Sequence, residues 1–162
     1  MRVKVITDSR TTYTSEVAKT VFLAPNFKLE ELANNKGDDS LPKWIDSPES
    51  RIFVVMLQEL RTWYGKAVVI DSCYRQPAYN AKVGGDAHSA HLMACAADWH
   101  VKHTNAMRTN VANCWRQICQ AHGIIGAINY YTNGYHLEAY SDQCYGNKGF
   151  QIRDYRGTKK DW

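Results

Sequence analysis

The residues best suited to chemistry lie in two parts of the sequence. Residues 71–100 carry Arg75, His91 and Asp98 in a loop rich in Pro, Gly and Asn that joins two apolar runs. His136 follows an Asn-Gly pair in a later apolar segment. Two imidazoles and one carboxylate are a ligand set that suits zinc and leaves a fourth position for water. These residue types therefore predict a metal site, in a loop of the kind that often carries function.

Two charged residues are placed to assist such a site. Glu138 follows His136 by two residues, and on a strand such side chains share a face with Cα atoms about 6.5 to 7 Å apart. Its carboxylate can act as a general base toward a metal-activated water, or it can hydrogen-bond the ligand histidine. Both roles are open at this point. Arg75 supplies a fixed positive charge for a substrate carboxylate or a developing oxyanion.

Each of these residues also fits a structural role. His91 and Asp98 can form a polar pair that fixes a turn, and His136 and Glu138 can lie exposed on an open sheet face. Arg75 can form an ordinary surface ion pair. The chain has six histidines and no HExxH motif, so accidental pairs are frequent. Spacing by itself leaves these alternatives open.

Length and composition indicate one globular domain. A chain of 162 residues is long enough to bury a core, and 44% apolar with 22% charged residues is typical of soluble proteins. The net charge of +4 does not predict nucleic acid as a partner. A small basic cluster suits an anionic surface such as a bacterial wall polymer. It consists of Arg153, Arg156, Lys159 and Lys160. The oligomeric state stays open.

The sequence carries no predicted export or membrane segment. The first residues contain no apolar run long enough for a signal peptide, and no later run is long enough to span a membrane. We therefore expect synthesis in a cytosol. The five cysteines are odd in number, lie mostly in apolar runs and lack paired CxxC spacing, which predicts free buried thiols.

Two long helices are predicted from capping residues and apolar periodicity. The first begins with the N-cap Ser47 before Pro48 and ends at Gly65. The second is capped by Thr104 and ends at Gly123. The predicted inward residues are Ile52, Val55, Met56, Leu60 and Trp63 in the first helix, and Val111, Cys114, Trp115, Ile118 and Cys119 in the second.

Short strands are predicted around the candidate site. Apolar runs at 67–72 and about 95–101 flank the loop, and Asn133-Gly134 indicates a hairpin between 124–131 and 135–140. Further predictions are a strand at Val3–Val5, a short helix capped by Asn26, a surface loop at 34–46 and a last strand at Phe150–Ile152. The fold class is therefore α+β, with a small, mainly antiparallel sheet packed against two long helices.

Three motifs in this order resemble those of one enzyme family. Residues 89–98 read SAHLMACAAD and are similar to SxHxxGxAxD. Residues 72–85 carry SCYR, YN and GG, similar to SGYR…YN…GG, and residues 130–138 resemble a closing hairpin with YY, NG and a histidine. Together with the segment 26–32, the chain resembles zinc D-Ala-D-Ala carboxypeptidases and L-alanyl-D-glutamate endopeptidases over about 26–140. These are peptidoglycan peptidases that share the fold of the hedgehog signalling domain.

The resemblance implies a single zinc peptidase domain over 1–162, with a 26–140 core, an N-terminal extension at 1–25 and a tail at 141–162. It implies one zinc ion per chain held by His91, Asp98 and His136. It implies cleavage of a peptidoglycan peptide, with D-Ala-D-Ala bonds and crosslink or stem bonds as alternatives. The expected catalytic residues are Glu138 and Arg75, and the expected substrate-binding residues are Arg75, His88, Ser89 and Tyr74.

Four positions depart from the family pattern. Cys73 and Ala94 replace family glycines, and Ala94 costs of order 1 kcal/mol if its φ is positive. Glu138 replaces an aspartate. Many relatives place the catalytic carboxylate three residues before the last histidine, where this chain has Asn133.

These departures keep other functions open. One is a non-catalytic module that binds cell-wall peptide or a protein on the same fold. Another is a structural component of a phage particle that is locally lytic. Several small members of the family that the chain resembles lack signal peptides and are phage lysis enzymes, so a phage or prophage endolysin fits the missing export signal. Such an enzyme acts on the wall after release or is carried in a virion.

Overall fold

The computed structural model describes residues 9–33 and 42–162. Within these ranges the chain forms nine strands, six α-helices and one short 3-10 helix. The strands are β1 (Ser9–Thr12), β2 (Phe22–Ala24), β3 (Phe27–Lys28), β4 (Lys43–Ile45), β5 (Val69–Ser72), β6 (Ala96–His100), β7 (Gly126–Tyr131), β8 (Gly134–Ala139) and β9 (Gln151–Asp154). The helices are α1 (Ser15–Thr20), α2 (Leu29–Leu32), α3 (Pro48–Tyr64), α4 (Pro77–Lys82), α5 (Asn105–Ala121) and α6 (Ser141–Tyr145), and the 3-10 helix spans Ala90–Met93. The predicted α+β class is confirmed.

The main sheet is mixed rather than purely antiparallel. Its strand order is β5-β6-β8-β7-β9, with three antiparallel pairings and one parallel pairing between β7 and β9. The prediction of a mainly antiparallel sheet therefore holds for the first three pairings and fails for the last. Two further pairs, β1-β4 and β2-β3, form separate two-stranded sheets.

The two longest helices, α3 and α5, have the predicted N-caps, whereas α5 ends at Ala121 with His122 as its C-cap instead of at the predicted Gly123. The Ser47 side chain accepts a hydrogen bond from the Ser50 N–H, and the helix ends at Gly65 in a left-handed conformation with φ +73°. The Thr104 side chain caps α5 by accepting from the Met107 N–H. The helices pack on each other and under the sheet, where the Trp115 indole N–H donates to the Glu138 carbonyl oxygen at 3.1 Å. This contact fixes α5 beneath the strand that carries His136.

The buried face of α3 is not the predicted one. Met56 and Leu60 are buried as expected, but Val55 and Trp63 are each 50% exposed. Ile52 is also exposed, and the remaining buried apolar positions are Phe53, Val54 and Leu57. Apolar residues surround this part of the helix, so periodicity permits more than one inward face. Packing against α5 selects the face that holds Phe53, whose ring contacts Trp115 edge-on at 6.0 Å.

Three local predictions in the N-terminal part are corrected or untested. Asn26 lies in the turn between β2 and β3 instead of capping a helix, and Lys28 is the N-cap of α2. The predicted loop 34–46 contains β4, where Trp44 is buried, because this strand pairs with β1. The rest of that loop up to residue 41 and the predicted strand Val3–Val5 lie outside the described residues.

The predicted hairpin and the predicted free cysteines are present in the structure. The hairpin forms, but its two turn residues are Thr132 and Asn133, and Gly134 is the first residue of β8. All five cysteines are free, and four of them are buried, with Cys144 half-buried. Among the described helices, none combines the length and apolarity that crossing a membrane requires.

Ala94, which stands where the motif that the chain resembles has glycine, adopts a left-handed backbone conformation that is strained for a residue with a Cβ atom. It has φ +56° and ends the 3-10 helix, which allows the chain to turn into β6. We expect Ala94→Gly to raise the free energy of unfolding by about 1 kcal/mol, because glycine adopts this conformation without Cβ strain.

Urea denaturation checks this expectation, with Ala90→Gly as the matched control. Ala90 is equally buried in the same turn but has no positive φ, so its replacement should lower the stability. If both variants lose stability by the same amount, the strain at Ala94 is not a measurable cost.

Candidate metal centre

Three buried side chains from two strands and one turn converge beside the centre of the main sheet. His91 lies in the 3-10 helix between α4 and β6, Asp98 lies on β6, and His136 lies on β8. Asp98 and His136 are direct partners in the antiparallel pairing of β6 and β8. Directly paired residues project from the same face of a sheet, so the pairing brings these two side chains into contact.

The three side chains are close enough to share one ion. One potential ligand atom from each of His91, Asp98 and His136 lies within 4.8 Å of the other two. Asp98 Oδ1 lies 2.9 Å from His136 Nδ1 and 3.3 Å from His91 Nε2. A donor set of two imidazole nitrogens and one carboxylate oxygen is that of many catalytic zinc sites. The arrangement therefore fits a zinc ion.

The ring of His91 is held in the tautomer that a metal ligand needs. Its Nδ1 lies 2.6 Å from the Cys73 carbonyl oxygen. A carbonyl oxygen only accepts, so Nδ1 carries the proton and Nε2 keeps its lone pair toward Asp98. Burial, helped by the charges of Arg75 and His136, lowers the pKa of His91 although Asp98 raises it, which favours the neutral ring. A carbonyl behind a ligand histidine is a common feature of metal sites.

His136 lies between two carboxylates. Its Nδ1 faces Asp98 Oδ1, and its Nε2 lies 2.9 Å from Glu138 Oε2. Burial disfavours the charged ring, but the hydrogen bonds with Asp98 and Glu138 outweigh it and raise the pKa of His136 to about 9. Without a metal the ring therefore holds protons on both nitrogens at neutral pH. A metal at Nδ1 would displace one proton and leave Nε2–H bonded to Glu138.

Glu138 is buried behind His136. Only 1% of its surface is exposed, and Oε1 accepts from the Arg153 guanidinium at 3.3 Å. Burial raises the pKa of this carboxyl, but His136 and Arg153 together lower it below its ordinary value. Arg153 is itself held by the Asn129 side-chain oxygen at 3.1 Å. Of the two roles open to Glu138, this geometry favours the partner of a ligand histidine over the general base.

Arg75 is fixed directly against the candidate ligands. Its Nη2 donates to Asp98 Oδ2 at 2.7 Å, and its Nε donates to Ser72 Oγ at 2.9 Å. The side chain is mostly buried, so this contact differs from an exposed surface ion pair. The guanidinium therefore orients Asp98 and places positive charge beside the metal position.

The other predicted substrate residues are placed in three different ways. Ser89 lines the cleft and its Oγ accepts from the His91 N–H at 3.2 Å, which stabilises the turn. His88 is exposed and is not part of the cleft lining. Tyr74 is 1% exposed, packs edge-on against Trp44 in the core and is not part of the cleft lining, and its predicted role in substrate binding stays a prediction. Its ring stabilises the core below the site.

A cleft of about 820 Å³ opens over the candidate metal centre. One wall comes from the segment 141–162, which the sequence predicted as a polar tail with a last strand at Phe150–Ile152, where the structure has β9. The lining residues from this segment are Tyr145, Lys148, Arg153, Tyr155, Lys159, Lys160, Asp161 and Trp162. The basic cluster in this segment is the sequence feature that could have indicated such a wall. The position of the wall beside His136 depends on the parallel pairing of β9 with β7, and the sequence did not predict that pairing.

Comparison with known proteins gives one family. A family model described as Peptidase M15 matches residues 25–137, which is more than half of the chain. The matched range contains all three candidate ligands and ends one residue before Glu138. No curated protein matches the chain.

The protonation of the two candidate ligand histidines is testable in metal-free protein. We expect nitrogen-15 NMR of the histidine rings to show His91 neutral with its proton on Nδ1, and His136 doubly protonated up to about pH 9. The raised pKa of His136 stabilises the metal-free fold below pH 6.5, and this contribution is lost as the pH rises through about 9.

Addition of zinc at neutral pH should remove the Nδ1 proton of His136 and keep Nε2–H. A His136 ring that titrates near its ordinary value of 6.5 in the metal-free protein would contradict the hydrogen-bond arrangement.

Proposed function

Because the chain belongs to the peptidase M15 family, we propose that it is a zinc-dependent peptidase that hydrolyses a peptide bond in bacterial peptidoglycan. The observation that carries the proposal is the buried His91–Asp98–His136 group within one cleft. Burial of a carboxylate destabilises a fold unless an ion pair, hydrogen bonds or a bound cation compensate its charge. The alternative that His136 and Glu138 lie exposed on an open sheet face does not fit this burial.

One zinc ion per chain would be held by His91 Nε2, an oxygen of Asp98 and His136 Nδ1. When bound, zinc activates a water molecule and polarises the carbonyl of the bond to be cut. The Cys73 carbonyl keeps the proton of His91 on Nδ1, and Glu138 keeps the Nε2 proton of His136. The lone pairs of His91 Nε2 and His136 Nδ1 and the negative charge of Asp98 would therefore all face the proposed position of the zinc ion.

Arg75 and Glu138 take different parts in the proposed reaction. Arg75 lies beside Asp98 and lines the cleft, where it would bind a substrate carboxylate or the oxyanion. Glu138 is a positioning residue in this proposal because both of its oxygens are engaged, one by His136 and one by Arg153. The alternative, Glu138 as general base, requires its carboxylate to leave Arg153 or His136.

The substrate is a peptide of the cell wall, and the cleaved bond is either D-Ala-D-Ala at a free end or a stem or crosslink bond. We further propose that the protein acts as a phage or prophage endolysin. Its site of action is then the wall, after release from the cell that synthesises it.

Metal content tests the proposed centre. We expect about one zinc per chain by elemental analysis of protein purified without a metal-affinity tag, and less than a tenth of that in His91→Ala, because one of three protein ligands is lost. His100→Ala is the matched control, since His100 is exposed and pairs with Asp71 away from the cleft. Wild-type protein that neither contains nor binds zinc would exclude the proposed mechanism and favour a non-catalytic peptide-binding module.

Glu138→Gln separates the two roles of this residue. Glutamine keeps the size and an acceptor oxygen but removes the charge. If Glu138 positions His136, zinc affinity should fall about 10- to 100-fold, and hydrolysis of peptidoglycan fragments should largely return at saturating zinc. If Glu138 is the general base, zinc affinity should be kept and kcat should fall about 10²- to 10⁴-fold at saturating zinc.

For Glu138→Gln we expect reduced zinc affinity with hydrolysis that largely returns at saturating zinc. Glu59→Gln is the control, because Glu59 forms the same kind of bond with His122, at 3.0 Å, outside the cleft.

A further inference from the structure

Residues 155–162 are fixed against the turn of the hairpin that carries His136. Asp161 Oδ1 accepts from the Thr132 N–H at 2.6 Å, and Oδ2 accepts from the Gly157 N–H at 2.7 Å and from the Thr132 hydroxyl. The Asn133 N–H donates to the Trp162 carbonyl oxygen at 3.0 Å. The hydrogen bonds from Thr132 lower the pKa of Asp161 to about 2. This carboxylate therefore stays charged and holds the segment at neutral pH.

Aromatic side chains pack this segment onto the hairpin. Trp162 stacks on Tyr131 with ring centres 5.0 Å apart, and Tyr155 contacts the same ring at 5.7 Å. The Lys160 ammonium lies 5.1 Å from the centre of the Tyr155 ring. All four side chains line the cleft. The segment is thus a structured wall of the cleft beside the candidate metal centre.

Some charged side chains that line the cleft have an ion-pair partner, and others have none in the described part of the chain. Four acidic and five basic side chains line the cleft: Asp86, Asp98, Glu138, Asp161, Arg75, Lys148, Arg153, Lys159 and Lys160. Arg75 and Arg153 are paired with Asp98 and Glu138. Lys148, Lys159 and Lys160 form no ion pair with any acidic group in the described part of the chain. Asp86 and Asp161 likewise form no ion pair in this part of the chain, so these nine side chains carry a net charge of +1 (five basic minus four acidic). A concave surface strengthens the field of this charge.

From this distribution we propose that Lys159 and Lys160 bind a substrate carboxylate that lies away from the bond to be cut. This inference rests on the proposed peptidase function and adds a substrate class, a peptide with at least one such carboxylate. An ammonium group binds a carboxylate through a charge-assisted hydrogen bond. Residues 155–162 lie outside the range 25–137 that the family model matches.

The test compares two synthetic peptides of the cell-wall stem class. In one, all carboxylates are free, and in the other the carboxylates away from the bond to be cut are carboxamides. Zinc-loaded wild type and the double variant Lys159→Gln/Lys160→Gln are compared by kcat/KM for hydrolysis and by calorimetric Kd, at low and high ionic strength. The control is Lys66→Gln/Lys102→Gln, which removes the same charge at exposed positions outside the cleft.

We expect the wild type to prefer the acidic peptide about three- to tenfold, as two partly exposed ion pairs allow. The preference should shrink at high ionic strength, approach one in the Lys159/Lys160 double variant and persist in the control. A wild type without preference, or a double variant that keeps it, overturns the inference.

The two proposals fail in different ways. If neither peptide is hydrolysed but the calorimetric preference depends on Lys159 and Lys160, the carboxylate subsite stands and the peptidase function fails. If both peptides are hydrolysed equally and bound equally by the wild type, the peptidase function stands and the subsite is overturned.

Discussion

Asp98 is the charge on which the candidate site depends. Its carboxylate is buried on β6, where leaving it unpaired would cost several kcal/mol. Burial raises the pKa of this carboxyl, but His91 and His136 lower it more, and Arg75 bonds its second oxygen. The residues that surround Asp98 are thus the two other candidate metal ligands and the Arg75 guanidinium. Compensation of one buried charge assembles the centre.

A second layer of contacts orients the residues that touch Asp98. The Cys73 carbonyl fixes the ring of His91, and Glu138 with Arg153 fixes the ring of His136. Arg153 lies on β9, the one strand that joins the sheet in parallel. The C-terminal part of the chain therefore supports the metal centre from one side and builds the cleft wall on the other. The same C-terminal part thus contributes to the orientation of His136 and to the lining of the cleft.

Much of the frame could be predicted because its signals are local. Ser47, Gly65 and Thr104 mark helix ends through their own side chain or backbone preference, and the structure has those ends. The inward face of α3 could not be predicted, since apolar residues surround that helix and only packing selects one face. The strand that contains Trp44 could not be predicted for a similar reason, because its pairing partner β1 is distant in sequence.

The sequence by itself determined the residue types of the site, the α+β class and the order of the motifs. Residue type singled out His91, Asp98 and His136 as candidate ligands, and the resemblance of three motifs, rather than their spacing, favoured them over the structural alternatives. Tertiary structure alone decided that Glu138 faces His136 and Arg153, that Tyr74 belongs to the core, and that residues 155–162 form a cleft wall. Side-chain chemistry is a property of each residue, whereas hydrogen-bond partners and burial depend on which distant strands pair.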